Sequence, residues 1–191
     1  SYIMSTGLDA IRATIVLAVF GIEGLGYWAF AWMLMLMAKQ IPQSICAVYV
    51  PKIFKLYGKT SSVNKCIKLI KKPIIVGVLS TIFIVGIGMV GMIYIFPIVL
   101  PNYIISGNII CILLLSLPLS LIEMPATIFN AMNKIGVINI CAIANAGTQV
   151  LTIGICLYFD QGLYSFAIGV FAGLLMRSII IIILLKKYNY T

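Results

Sequence analysis

The sequence predicts an all-α integral membrane fold of about six spanning helices, and three observations carry that prediction. Hydrophobic residues make up 63% of the 191 and charged residues only 9%, against about 45–50% and about 25% in soluble domains. The apolar residues fall in blocks of roughly twenty, the length a helix needs to cross a hydrocarbon core of about 30 Å. Most of the basic residues are gathered between Lys39 and Lys72, an interval with no acidic residue, and lysines concentrated in one connection mark a cytoplasmic loop. The same clustering explains the net charge of +9 without nucleic acid as a partner. Only helices and closed barrels satisfy their backbone groups in lipid. Continuous apolar blocks without a two-residue alternation exclude the barrel.

The spans are predicted at about 1–21, 27–50, 74–97, 104–127, 137–158 and 163–185, in a single unit covering 1–191. The first begins at Ser1, on the edge of an apolar stretch, with no initiator Met, no basic flank and no cleavage site of a secretory signal. That start reads as a piece, or one half, of a larger membrane protein. The turn GIEGLGY joins the first two spans. The connection 51–73, PKIFKLYGKTSSVNKCIKLIKKP, holds seven lysines. Within it Val63, Cys66, Ile67 and Ile70 recur at helical spacing while lysines take the other faces, which suits either a short helix lying at the interface, toward membrane lipids, or a loop that only sets topology.

The third span, IIVGVLSTIFIVGIGMVGMIYIF, carries no charge and stands between Pro73 and Pro97. The fourth has Pro118 in mid-span, where a kink is expected, and is predicted to end near Thr127. The fifth interleaves Asn139, Asn145 and Gln149 with Ala142, Ala144, Ala146 and Gly147, a composition suited to close helix packing and interhelical hydrogen bonds or to a polar lumen. The sixth contains Arg177 and ends at Lys186–Lys187. Alternation from the basic connection puts Lys134, Lys186–Lys187 and both chain ends in the cytoplasm. It puts Glu23, the uncharged PNYIISGN and Asp160 outside. The five cysteines show no C-x-x-C spacing, and with no histidine in the chain neither a metal site nor a cofactor is expected; they read as apolar fillers.

Ionisable side chains at membrane depth are rare and point to function. Arg12 lies about nine residues from the outer end of its span, roughly 13 Å in, with Asp9 one turn away on the same face, where the two can pair. Lys39 is close to the centre of the second span, and Gln43 follows at i+4. Pro42 removes a backbone donor nearby. The hairpin lets these groups share one depth. Lys39 has no carboxylate within a helical turn and calls for an anion or an aqueous cavity, whereas Asp9–Arg12 also suits a self-neutralised packing pair. Arg177 is eight residues from the end of its span and is placed either in a cavity or snorkelling to the cytoplasmic face. Glu123, one turn from the predicted inner boundary, is read as an interfacial residue latching an inner gate through Lys134 or a loop lysine, or as a solvated helix end.

Two stretches carry a resemblance. Residues 24–59, GLGYWAFAWMLMLMAKQIPQSICAVYVPKIFKLYGK, resemble the segment of polysaccharide (O-antigen type) flippases in which an LGxY turn opens a helix that leaves through V-x-P-x-[ILF] into a basic loop. Residues 130–169, NAMNKIGVINICAIANAGTQVLTIGICLYFDQGLYSFAIG, are similar to that family's short basic turn, Asn-containing helix and G-x-x-[GS]-x-A-x-[AG] entry to the next span, with Ser165 and Ala167 at the variable places. The resemblance covers nearly the whole chain and rests on helix ends and small residues. It implies the C-terminal six-helix lobe of a two-lobe (6+6) transporter of the multidrug/oligosaccharidyl-lipid/polysaccharide exporter superfamily, in a bacterial inner membrane, with an N-terminal lobe and polysaccharide-assembly proteins as partners. The implied substrate is an oligosaccharide on undecaprenyl diphosphate, moved by alternating access around a midplane site. Arg12, Lys39, Gln43 and Arg177 would then line the cavity, since basic side chains bind diphosphates, and Asp9 would be the coupling carboxylate.

Two other readings compete. A drug exporter of the same superfamily would favour organic cations held by acidic and aromatic residues, and the deep charges here are mostly basic. A membrane enzyme of polysaccharide assembly would need positioned carboxylates. The four acidic residues are scattered, with no D-x-D motif, so no enzymatic activity is expected.

Overall fold

The computed structural model describes the backbone of residues 2–189 and the side chains of residues 7–188; Ser1, the predicted edge of the first span, lies outside them. Every regular element among the described residues is helical: α1 (Tyr2–Thr60), α2 (Val63–Val90), α3 (Phe96–Val99), α4 (Ile104–Leu114), α5 (Leu117–Ser120), α6 (Glu123–Ala131), α7 (Ile135–Tyr158) and α8 (Tyr164–Asn189), with a π-turn at Gly91–Ile95 and a 3-10 turn at Pro101–Tyr103.

The long α1 is two arms. Gly21 has φ 69° and ψ −168°, a left-handed conformation that glycine adopts at little cost. The chain reverses there. Arg12 and Trp32, twenty residues apart and so about 30 Å apart on a straight helix, meet with the guanidinium carbon 4.6 Å from the ring centroid. The second arm runs through Pro42 and Pro51 to Thr60.

Ser61, with φ 46°, starts the turn into α2. The connection 51–73 is therefore not a loop carrying a short interfacial helix. It is the end of α1 and the start of α2, a helical hairpin. Cys66 and Ile70 are buried, and Val63 and Ile67 pack on the same apolar cluster. The predicted amphipathic stripe thus faces protein rather than lipid, and all seven lysines of this hairpin are exposed.

By length and apolarity, three helical stretches are able to cross a membrane: Val63–Val99, Ile135–Tyr158 and Tyr164–Tyr188. A fourth arises if Pro101–Leu114 and Leu117–Ala131, bent by 43°, count as one span. This is fewer than the six expected. The two expected N-terminal spans fall in α1, which is not among them and carries Asp9, Arg12, Glu23 and Lys39 in its apolar stretches.

The fourth rod breaks at Leu115–Ser116 and again at Leu121–Ile122, on either side of Pro118. Ser116 and Ser120 each donate at 2.6 Å to a carbonyl three residues back, Leu113 and Leu117. This rod is the most enclosed part of the molecule, and Met124, Ile128 and Phe129 are fully or almost fully buried. It continues past Thr127 to Ala131 and ends only where Asn133 turns left-handed (φ 57°), with the Lys134 amide donating to the Phe129 carbonyl at 2.9 Å. That is a Schellman ending. Asp160 (φ 54°) ends α7 in the same way, with Gln161 bonded to Cys156.

The α7–α8 pair is the most extensive helix contact. Gly169 and Gly173 form a G-x-x-x-G step on α8. A Cβ on Gly173 would stand 2.9 Å from the Asn145 carbonyl and 2.6 Å from its side-chain oxygen, so the backbones approach as small residues allow. Asn145 and Gln149, expected in close packing, hydrogen-bond to each other at 3.1 Å on this face. Asn139 is exposed.

The packed interior consists of two apolar clusters stacked along the rods. One gathers Val16, Trp28, Met35, Ile110, Leu113 and Phe166. The other gathers Ile53, Cys66, Ile70, Met124, Phe129 and Ile181. The five cysteines are free thiols, of which Cys66 and Cys141 are buried in the second cluster.

Candidate functional site

Between the two clusters lies a polar waist. On α1 the first cluster reaches Ala38 and the second begins at Ile45; Lys39 and Gln43 occupy the gap. On α8 the clusters stop at Leu174 and resume at Ile180, with Arg177 and Ser178 between them. The corresponding gap holds Thr81 on α2, Ser120 on α5, and Asn145 and Gln149 on α7. Glu123 opens α6 at the edge of this layer. Each long helix therefore contributes hydrogen-bonding side chains to this layer.

The hydroxyls of the waist are satisfied locally. Thr81 donates to the Gly77 carbonyl at 2.7 Å and Ser178 to the Leu174 carbonyl at 2.8 Å. The charged groups differ. Arg177 Nη1 donates to Glu123 Oε1 at 3.3 Å, joining α8 to α6. This corrects the expected pairing of Glu123 with Lys134 or a lysine of 51–73, and of the two placements open for Arg177 it is not the one reaching for the Lys186–Lys187 end of α8. Lys134 instead sits over the Tyr188 ring, 3.5 Å from its centroid.

That contact also sets the height of the ion pair. Arg177 is eleven residues before Tyr188, about 17 Å, and Glu123 is eight before Ala131, about 12 Å. Glu123 is thus about twice as far from the end of its helix as predicted, because that helix does not end at Thr127 but at Ala131.

Lys39 has no ion-pair or hydrogen-bond partner among the described residues and is half-buried. Gln43 is exposed. Trp32, Lys39 and Cys46 are seven residues apart and fall on one face of α1. Arg12 lies over Trp32 at one end of this stripe, and Cys46 at the other packs on the cluster of Met124, the neighbour of Glu123. The charged groups are therefore ordered along one helix face as Asp9–Arg12, Lys39 and Glu123–Arg177, in steps of about 10 Å.

The Asp9–Arg12 pair forms as expected. Nη2 of Arg12 donates to Asp9 Oδ1, and Nε donates to the Leu8 carbonyl at 3.3 Å. The Arg12 side chain is 9% exposed and the Asp9 side chain 42%. Beside them is a cavity of about 210 Å³, walled by Leu25, Trp28, Trp32 and Leu36. Trp28 and Trp32 stack at 5.6 Å. Lys39, Gln43, Arg177 and Glu123 do not line this cavity. The six candidate residues thus fall into two groups: Asp9 and Arg12 in the N-terminal hairpin, and the other four at the waist.

Buried donors remain open at both places. Arg12 Nη1 and Arg177 Nε have no hydrogen-bond partner among the described residues. A guanidinium N–H without an acceptor is costly in apolar surroundings, and it is the group an oxyanion would satisfy. The partnership of Trp32 with Arg12 and of Glu123 with Arg177 had no local signature in the sequence. The G-x-x-x-G step did, at the fixed spacing of Gly169 and Gly173. No protein-family model, curated protein or solved structure matches the chain.

Proposed function

We propose that the chain is one six-helix lobe of a flippase that carries undecaprenyl-diphosphate-linked oligosaccharide from the cytoplasmic to the outer leaflet by alternating access. In this reading the two arms of α1 and the bent rod α4–α6 are spans, alongside the three helices long and apolar enough to cross a membrane. The lobe pairs with a second six-helix lobe in a bacterial inner membrane, with the lysine hairpin and Lys134 in the cytoplasm. The observation that carries the reading is the charge balance of the waist. Lys39 and Arg177 stand there against one carboxylate, Glu123, so a mid-height layer of an apolar bundle holds an uncompensated cation. Such a cation is stable when it faces water or an anion, and a diphosphate is the anion that the family resemblance supplies.

Lys39 holds the diphosphate in this scheme, with Gln43 beside it, while the prenyl tail remains in lipid. Arg12, already neutralised by Asp9, contributes one free N–H. That intimate pairing also weakens the case for Asp9 as the coupling carboxylate. The second reading, an exporter of organic cations, draws on the half-exposed Asp9 and the two stacked indoles beside it. The full-length protein in proteoliposomes decides between them. Lys39→Ala and Arg12→Ala should each abolish transfer of lipid-linked oligosaccharide while leaving the protein inserted; full transfer by both variants would sink the anion cavity built on these residues, and no transfer by wild type would sink the flippase reading. Uptake of an organic cation that depends on Asp9 would favour the exporter.

A further inference from the structure

Glu123 and Arg177 form the interhelical ion pair of the waist, and its geometry is that of a provisional contact. One N–H···O bond of 3.3 Å joins them, long for a charge-assisted bond, which ordinarily lies at about 2.7–2.9 Å. Arginine and carboxylate commonly meet through two parallel bonds; here Arg177 Nε is buried without a partner. The pair is not sealed, since 36% of the Glu123 side chain and 23% of the Arg177 side chain are exposed. Glu123 is the first residue after the second break of the α4–α6 rod, so its side chain ties the start of α6 to α8. Lys39 lies on the α1 face that leads to this point, about 10 Å away along the helix.

We propose that Glu123 is an internal anion that occupies the Arg177 site in the empty transporter, and that the diphosphate group of the substrate displaces it. A diphosphate offers two acceptor oxygens to Nε and Nη1, which the single Glu123 contact does not satisfy together. Displacement removes the tether between α6 and α8, so substrate binding and release of the bent rod are one event. The inference rests on the anion-carrying function and assigns to Arg177 the second contact after Lys39.

The prediction has an unusual sign, because removing the carboxylate improves binding. A site free of its internal competitor only a tenth of the time binds about tenfold more weakly than the open site. Titration of the full-length protein in nanodiscs with inorganic pyrophosphate should therefore show Glu123→Gln binding roughly tenfold more tightly than wild type. Glu123→Ala should do the same, and the double substitution Glu123→Gln/Arg177→Gln should lose the gain.

Farnesyl diphosphate serves as a second probe. An equal gain with both probes means that the diphosphate alone is read, and a gain with farnesyl diphosphate alone means that a prenyl-linked diphosphate is required. In wild type, either bound probe should accelerate amide exchange in residues 123–131. Unchanged or weaker binding by both Glu123 variants, with no change in that exchange, overturns the proposal. If this happens while Lys39→Ala still loses transfer, the internal-anion idea falls and the flippase reading stands. If the Glu123 variants bind tighter while the wild-type protein transfers no lipid-linked oligosaccharide, the internal-anion idea stands and the flippase reading falls.

Discussion

Arg12 and Lys39 are both cations in apolar surroundings, and their company separates their roles. Arg12 has its counter-charge one turn away and an indole beneath it, so most of its desolvation is offset within the hairpin. Breaking a buried pair from one side costs about 3–5 kcal/mol. Asp9 is 42% exposed, which reduces the loss, and Asp9→Asn should destabilise by about 1–3 kcal/mol. The double substitution Asp9→Asn/Arg12→Gln should recover much of that, because it leaves no charge stranded. A double-mutant cycle on thermal unfolding in detergent, followed by circular dichroism, checks both values. Equal destabilisation by the single and double variants would show that the pair contributes through packing alone.

At the scale of elements, the approach of α7 and α8 is the feature most exposed to substitution. Gly173→Leu must push the helices apart at Asn145 and should cost at least the ~1–3 kcal/mol of an overpacked core, with loss of monodispersity in size-exclusion chromatography. Gly147, on α7, has nothing within 4 Å of a built Cβ. Gly147→Ala should be neutral or stabilising by up to about 0.5–1 kcal/mol, since alanine is the better helix former.

Much at this scale was legible in the sequence. The apolar blocks, the uncharged third span and the kink around Pro118 follow from composition and from the chemistry of proline. Helix ends were less legible. Apolarity in the fourth rod fades near Thr127, but a helix stops where its carbonyls find other partners, and here Asn133 supplies the left-handed turn that permits it. The lysine hairpin is ambiguous in the sequence for a related reason. A stripe at helical spacing is the same pattern whether it faces lipid or the rest of the protein, and only the packing of Cys66 and Ile70 distinguishes them.

For the whole molecule, length sets the frame. The second arm of α1, about 39 residues from Ile22 to Thr60, is roughly 58 Å long, nearly twice the hydrocarbon thickness of about 30 Å. On the proposed six-span reading, the lysine hairpin projects well beyond the lipid. Asn64→Cys should react with a membrane-impermeant maleimide only from the cytoplasmic side, and Gln161→Cys only from the outside; the opposite labelling would invert the topology. The candidate site was half legible at this scale. Lys39 stands out because a lone charge in an apolar run needs no partner to be noticed. The Glu123–Arg177 contact joins positions 54 residues apart, and no local pattern announces it. Its depth follows only from where the helices end and from the meeting of Lys134 with Tyr188.

The reversal at Gly21 has one more consequence. It brings together Arg12 and both tryptophans of the chain, Trp28 and Trp32. Indole emission from this chain therefore originates in one place and reports the polarity around a single guanidinium. If the two arms part, water enters beside the indoles and the emission shifts to longer wavelength, giving a built-in optical gauge of the hairpin that needs no added label.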